Sequence, residues 1–188
     1  MFKIDIHTHI VPSNLNDITN TFSDSRFIKL KNFSNKEIDM FSNDKFFRKI
    51  KCNCWDHKIR IDEMNSYKVD MQVLSTIPVL FSYWSEIKDA VILSKFINDH
   101  ISEIVHQYPE RYFGLGTIPM QNTDSAIYEM DRCINDLNLH GIQIGTNVND
   151  ENLSENKFIP IFEHAEKINC PIFVHPWEVL GEKKIQKY

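Results

Sequence analysis

The sequence predicts an α/β fold built on a parallel sheet. Three observations carry that expectation: a set of short apolar, β-branched runs, helically spaced apolar residues between them, and regular alternation of the two from residue 60 onward. The strands are expected at residues 2–7 (FKIDIH), 69–77 (VDMQVLSTI), 113–118 (FGLGTI), 141–145 (GIQIG) and 171–175 (PIFVH). Parallel strands joined by right-handed crossovers either stay open as a doubly wound sheet or close into a (β/α)8 barrel. The pattern alone admits both. No GxGxxG or GxxxxGK follows any of the strands, so the nucleotide-binding forms of the open sheet lose their main support.

Helices are expected over 59–67, 86–108, 123–138 and 155–168. In the second of these, Ile87, Val91, Ile97, Ile101 and Ile104 recur at helical spacing. Asn122 and Thr123, and the segment from Asn152 to Ser154, offer caps for the third and fourth helices, while Pro109 and Gly141 close the second and third. Between residues 12 and 58 the pattern dissolves into an Asn- and Ser-rich stretch interrupted by FIKL and KFFRKI. A connection that long inside a compact domain marks a functional lid or a small inserted subdomain, here 13–58.

Charge and composition narrow the partners. The 26 acidic and 21 basic residues leave a net charge of −5 without any block of like charge, which argues against nucleic acid or an anionic membrane as a partner. Lys29, Lys31 and Lys36, and again Lys183, Lys184 and Lys187, form loose clusters that suit a solvated surface. The start, MFKIDIHTHIVP, lacks the apolar core of a secretory signal, and no apolar run approaches the roughly 18 residues of a membrane span. A cytoplasmic protein is expected. Cys52, Cys54, Cys133 and Cys170 make no CxxC pair and are expected as free thiols in a reducing compartment.

The chemistry is concentrated in IDIHTHIVP. Side chains alternate along a strand, so Lys3, Asp5, His7 and His9 share one face while Ile4, Ile6, Thr8 and Ile10 share the other, which suits packing against helices. A row of Asp and His on a strand of a parallel sheet requires compensation, because such strands are normally covered on both sides. A metal supplies it. Imidazoles at i and i+2 project the same way and can converge on one ion at about 2.0–2.1 Å. An exposed edge strand, or two histidines satisfied by hydrogen bonds, would also account for the pattern. His175 ends another apolar strand at its carboxyl end, the end where barrel active sites gather, as do His7 and His9. Asp5, deeper on the polar face, is expected to orient an imidazole rather than to ligate. His57, His100, His106, His140 and His164 fall in helices or loops and are expected at the surface.

Taken in order, IDIHTHIVP, FFRKIKCNCWD, RIDEMNSYKVDMQVLSTIPVLFSYW, GLGTIPMQ, GIQIGT and FVHPW resemble the amino-terminal part of the 2-amino-3-carboxymuconate-6-semialdehyde decarboxylases, metal-dependent enzymes of the amidohydrolase superfamily. The resemblance runs from residue 1 to residue 188. It implies a (β/α)8 barrel with a small insertion after strand 1, of which this chain supplies the first five βα units. It implies His7, His9 and His175 as ligands of one zinc ion, and Arg48 as the group that holds a substrate carboxylate. Flanked by Phe46, Phe47 and Ile50, Arg48 is placed to offer a bidentate fork from an apolar wall. Phe81, Tyr83 and Trp84 resemble the family's aromatic loop near the pocket, with core packing as the competing account, and Phe81 and Trp84 are taken as substrate contacts.

The departures from the superfamily matter as much. Two-metal members bridge their ions with a modified lysine at the end of strand 4, where this chain reads GIQIGT, so a single metal is expected. The family also uses a histidine after strand 6 as acid/base, an aspartate after strand 8 as a ligand, and a second arginine from the partner subunit of a homodimer. The first two are expected beyond residue 188. A complete barrel takes about 250 residues, so this sequence is expected to be an incomplete one. The implied reaction is the non-oxidative decarboxylation of 2-amino-3-carboxymuconate-6-semialdehyde in tryptophan (kynurenine-pathway) catabolism. The alternatives are a decarboxylase of aromatic acids such as resorcylates, a mononuclear hydrolase of the same superfamily, or, from a different class, an inactive barrel fragment.

Overall fold

A computed structural model describes residues 1–178; the cluster of Lys183, Lys184 and Lys187 lies outside the described residues. In chain order the elements begin with β1 (Ile4–Ile10), α1 (Asn16–Thr19), β2 (Lys29–Lys31), β3 (Glu37–Ser42) and β4 (Lys45–Lys51). A 3-10 turn (Cys52–Cys54), α2 (His57–Tyr67), β5 (Met71–Thr76), a second 3-10 turn (Pro78–Leu80) and α3 (Ile87–Gln107) follow. The last group is β6 (Tyr112–Gly116), α4 (Thr123–Asp131) with a π-helical turn (Arg132–Asp136), β7 (Gly141–Gly145), the short β8 (Asn147–Val148) and β9 (Glu151–Asn152), α5 (Ile159–Lys167) and β10 (Ile172–His175).

The main sheet has five parallel strands in the order β1-β5-β6-β7-β10. Each new strand is added beside the one before it, and the order never reverses. A doubly wound sheet needs such a reversal, so the arrangement is that of the first five βα units of a (β/α)8 barrel. The sheet curls until its two edge strands approach each other at their carboxyl ends, where the rings of His7 on β1 and Phe173 on β10 are 5.4 Å apart.

Burial explains the helices. Leu93, Ile97, Ile101, Ile104 and Val105 of α3 and Ala126 and Met130 of α4 lie against the sheet and are buried. Gly116 permits the close approach, since a Cβ there would stand 2.5 Å from the Cys133 sulfur. Asn122 caps α4 as expected, its side chain accepting from the Ser125 amide at 2.9 Å. The fourth helix starts later than its spacing suggested. Glu151–Asn152 pairs with Asn147–Val148 as a small hairpin, the Asn152 side chain accepts from the Ser154 amide in a turn, and α5 begins only at Ile159 with Pro160 in its first turn.

The stretch from 13 to 58 is more regular than its composition suggested. It folds α1 and an antiparallel sheet in the order β2-β3-β4, with β2 in FIKL and β4 in KFFRKI. Asn43 and Asp44, with φ of 50° and 55°, form the two-residue connection between β3 and β4; positive φ at both central residues is what a tight hairpin of this twist requires. The insertion is tied back to the sheet by the Val11 amide, which donates to the Cys54 carbonyl at 2.8 Å.

One face of β1 departs from expectation. Ile10 is buried and Thr8 donates to the Val73 carbonyl, but Ile4 and Ile6 are 43% and 62% exposed. They lie on the outer face of an edge strand, and no described residue covers them.

Candidate metal centre

His7 and His9 project from the polar face of β1, and His175 closes β10 across the mouth of the curled sheet. Their ring centroids are 4.7–5.1 Å apart, and one ligand nitrogen from each lies within 4.8 Å of the others. Among the described residues this is the one such cluster of histidine, cysteine and carboxylate groups.

Hydrogen bonds set the tautomers. The Ser75 hydroxyl donates to the Thr8 carbonyl at 2.9 Å, so its oxygen accepts from His9 Nδ1–H at 3.1 Å. The Pro176 carbonyl, which can only accept, takes the Nδ1 proton of His175 at 2.7 Å. With Nδ1 as the donor to these partners, the neutral form of each ring keeps Nε2 free to ligate, and the two Nε2 atoms face each other 3.2 Å apart. Two lone pairs at that distance repel unless a cation lies between or beside them. Burial, followed by the neighbouring His175 and His7, pushes the His9 pKa down to about 4, so near neutral pH this ring is an uncharged donor. Imidazoles whose outer nitrogens are held in this way fit a divalent ion of borderline softness. No lysine or carboxylate stands on β7, which reads GIQIG; its Gln143 is buried and donates to the Thr76 carbonyl.

His7 and His9 open onto a cleft of about 500 Å3 whose wall includes Arg48, Lys51 and Arg60. Arg48 reaches it from β4, is solvent-exposed, and forms no ion pair among the described residues. Its neighbours Phe46 and Phe47 are also exposed, and only Ile50 is buried, so the expected apolar wall is partial. Phe81 is buried instead, stacked on Tyr83 with centroids 5.3 Å apart. Trp84 packs on Phe27 at 4.8 Å, with the Arg26 guanidinium 4.0 Å from its ring, and lines a separate hollow with Tyr83 and Trp177. Neither aromatic lines the histidine cleft.

Asp5 contacts the backbone rather than a ring. Its Oδ1 accepts from the His7 amide at 3.3 Å, and its Oδ2 accepts from Gln72 Nε2 at 3.4 Å. Three of the histidines expected at the surface are half-buried: His57, His100 and His164, the last bonded to Asp131 at 2.9 Å, while His106 and His140 are exposed. Arg60 was hidden in the sequence. A basic residue in a helix reads as solvent-facing, yet Arg60 is 7% exposed; its signal is that it lies one turn before the buried Met64 on the same face of α2.

A five-stranded sheet of barrel topology thus carries an imidazole cluster at its carboxyl rim. The amidohydrolase family model matches residues 4–182, and the chain belongs to that family. It is 45% identical over 186 residues to the 2-amino-3-carboxymuconate-6-semialdehyde decarboxylase of Dictyostelium discoideum, covering 99% of this chain and 52% of that protein. A Staphylococcus aureus protein described as an amidohydrolase superposes with a TM-score of 0.73 at 27% identity, covering 100% of this chain and 51% of that one. A manganese-bound 5-carboxyvanillate decarboxylase from Novosphingobium aromaticivorans gives a TM-score of 0.74 at 18% identity, over 99% of this chain and 54% of that one. The chain thus spans about half the length of these relatives.

Proposed function

We propose that the protein is a single-metal decarboxylase acting on 2-amino-3-carboxymuconate-6-semialdehyde, with zinc held by His7, His9 and His175. The observation that carries this reading is the pair of bare Nε2 atoms of His9 and His175, 3.2 Å apart beside His7, in a chain 45% identical to a decarboxylase of that substrate. The three imidazoles that this chain supplies favour zinc over the harder manganese. When bound, such an ion acidifies water and polarises a substrate oxygen.

The chain's own residues divide the remaining work. Ser75 and the Pro176 carbonyl hold the two imidazoles in the ligating tautomer. Arg48 grips a substrate carboxylate from β4, and Lys51 adds positive potential at the same wall. In the reaction the bond from ring or chain carbon to carboxylate breaks, carbon dioxide leaves, and the electron pair left on carbon takes a proton. The reading extends to a homodimer in the cytosol. It is supported there by the family resemblance and by four free cysteines; no helix among the described residues is long and apolar enough to cross a membrane.

The test is turnover by metal-loaded full chain, offered the semialdehyde and, separately, 2,6-dihydroxybenzoate. The reading expects loss of the semialdehyde's absorbance with release of one carbon dioxide per molecule, abolished by chelation and restored by zinc. Turnover of the aromatic acid alone would move the protein to the resorcylate-type decarboxylases.

A further inference from the structure

Arg60 is a buried cation without a carboxylate partner among the described residues. Its Nη2 donates to the carbonyl of the proposed ligand His9 at 2.6 Å and to the carbonyl of Asn53 at 2.5 Å, and its Nη1 donates to Gln72 Oε1 at 3.3 Å. The amide of the same Gln72 donates to Asp5 Oδ2, and Asp5 Oδ1 accepts from the His7 amide. One guanidinium thus touches the backbone of one proposed ligand directly and that of the other through two side chains. Asn53 belongs to the turn immediately after β4, and its neighbour Cys54 accepts from the Val11 amide. The same guanidinium therefore ties the histidine strand to the end of the insertion that carries Arg48.

Charge and burial make this arrangement costly to keep for packing alone. Arg60 is 7% exposed, its Nε is buried without a partner among the described residues, and its guanidinium hydrogen-bonds there to neutral oxygens only. An apolar residue beside Met64 would fill that face of α2 more cheaply. What the planar fork adds is geometry: it spans two carbonyls from different segments at once, which a lysine ammonium on its flexible stem reproduces poorly.

We propose that Arg60 is a positioning residue that sets the angle at which His7 and His9 meet the ion and the distance from the ion to Arg48. The proposal rests on the histidines being metal ligands, as read above. Partners of this kind, behind the ligands themselves, change metal affinity or activity by about 10–100-fold when removed.

The experiment compares wild-type, Arg60→Lys and Gln72→Met full chains by Co2+ titration, recording the dissociation constant, the visible ligand-field bands at saturating metal, and the metal-free melting temperature. Arg60→Lys keeps the charge, so it isolates geometry. The expected result is a dissociation constant raised about tenfold or more in Arg60→Lys, with shifted ligand-field bands. A smaller change in the same direction is expected in Gln72→Met, which leaves the guanidinium in place. Wild-type affinity and bands in both variants would overturn the proposal. So would weakened binding with unchanged bands and a lowered melting temperature, because Arg60 would then serve folding only. Should Arg60→Lys not fold, the Gln72→Met bands decide. A wild-type chain that binds no Co2+ would instead sink the metal reading itself, and one that binds Co2+ but turns over no carboxylate would sink only the proposed reaction.

Discussion

Arg48 faces the cleft with no carboxylate among the described residues to neutralise it, and that freedom is what a substrate-binding guanidinium needs. Replacing Arg48 with Ala is expected to raise KM by the loss of a charge-assisted hydrogen-bond pair, about 2–3 kcal/mol, while metal content stays at the wild-type level. Unchanged kcat/KM would remove Arg48 from the site. His100 gives a second prediction, in stability rather than activity. Burial, and then the nearby His57, push its pKa down to about 4, and its Nε2 is buried without a partner among the described residues. In the unfolded chain the same ring protonates near 6.5. Between those values the unfolded state binds more protons, so stability is full above pH 6.5 and is lost as pH falls toward 4. By this linkage the His100 contribution to unfolding free energy is about 2 kcal/mol smaller at pH 5 than at pH 7. His100→Asn should shrink the pH 7-to-5 difference in urea unfolding by that amount. These residues differ in how visible they were. His175 could be read because it ends an apolar strand at the rim where His7 and His9 also end. His100 and Arg60 could not, because polar residues on helices read as solvated until their neighbours are known.

The strands were the most legible elements, since β5, β6 and β7 are short runs buried along most of their length, and β10 keeps an apolar IFV run although it lies at the sheet edge. The helices followed from spacing and caps. Asn122→Ala is expected to cost about 1 kcal/mol by leaving the Ser125 amide without its acceptor, measurable as a shift in the urea midpoint. Gly116→Ala should cost more, about 1–3 kcal/mol, because its Cβ would press on Cys133 inside the sheet–helix interface. The insertion was the least legible element. Its strands bury Leu30, Ile38, Met40 and Ile50, but most of β4, with Lys45, Phe46, Phe47, Arg48 and Lys49 exposed, shows no apolar periodicity. The Asn-Asp pair between FS and KFF was the available signal. Phe81 and Trp84 follow β5 at its carboxyl end, where their side chains pack with Tyr83, Phe27 and Arg26.

At the scale of the whole molecule, the sequential strand order decides the barrel over the open sheet, and the curl of that sheet brings β1 and β10 together at the histidines. The order could not be read from the alternation of elements, which is common to both architectures; the shared rim of His7, His9 and His175 was the sequence's pointer to it. The curl also leaves two edge strands with exposed side chains, Ile4 and Ile6 on β1 and Val174 on β10. Unpaired apolar edges recruit other strands, so the 188-residue chain on its own is expected to self-associate in light scattering. Ile6→Lys should reduce that association without changing metal affinity. The claim on which all the functional reasoning depends is that three histidines hold one divalent ion, and metal analysis of the purified chain beside its His9→Ala and His175→Ala variants tests it most directly. One equivalent of metal in the wild type, lost in each variant with the fold intact by circular dichroism, is the predicted result. Retention of the full equivalent by either variant would contradict the account.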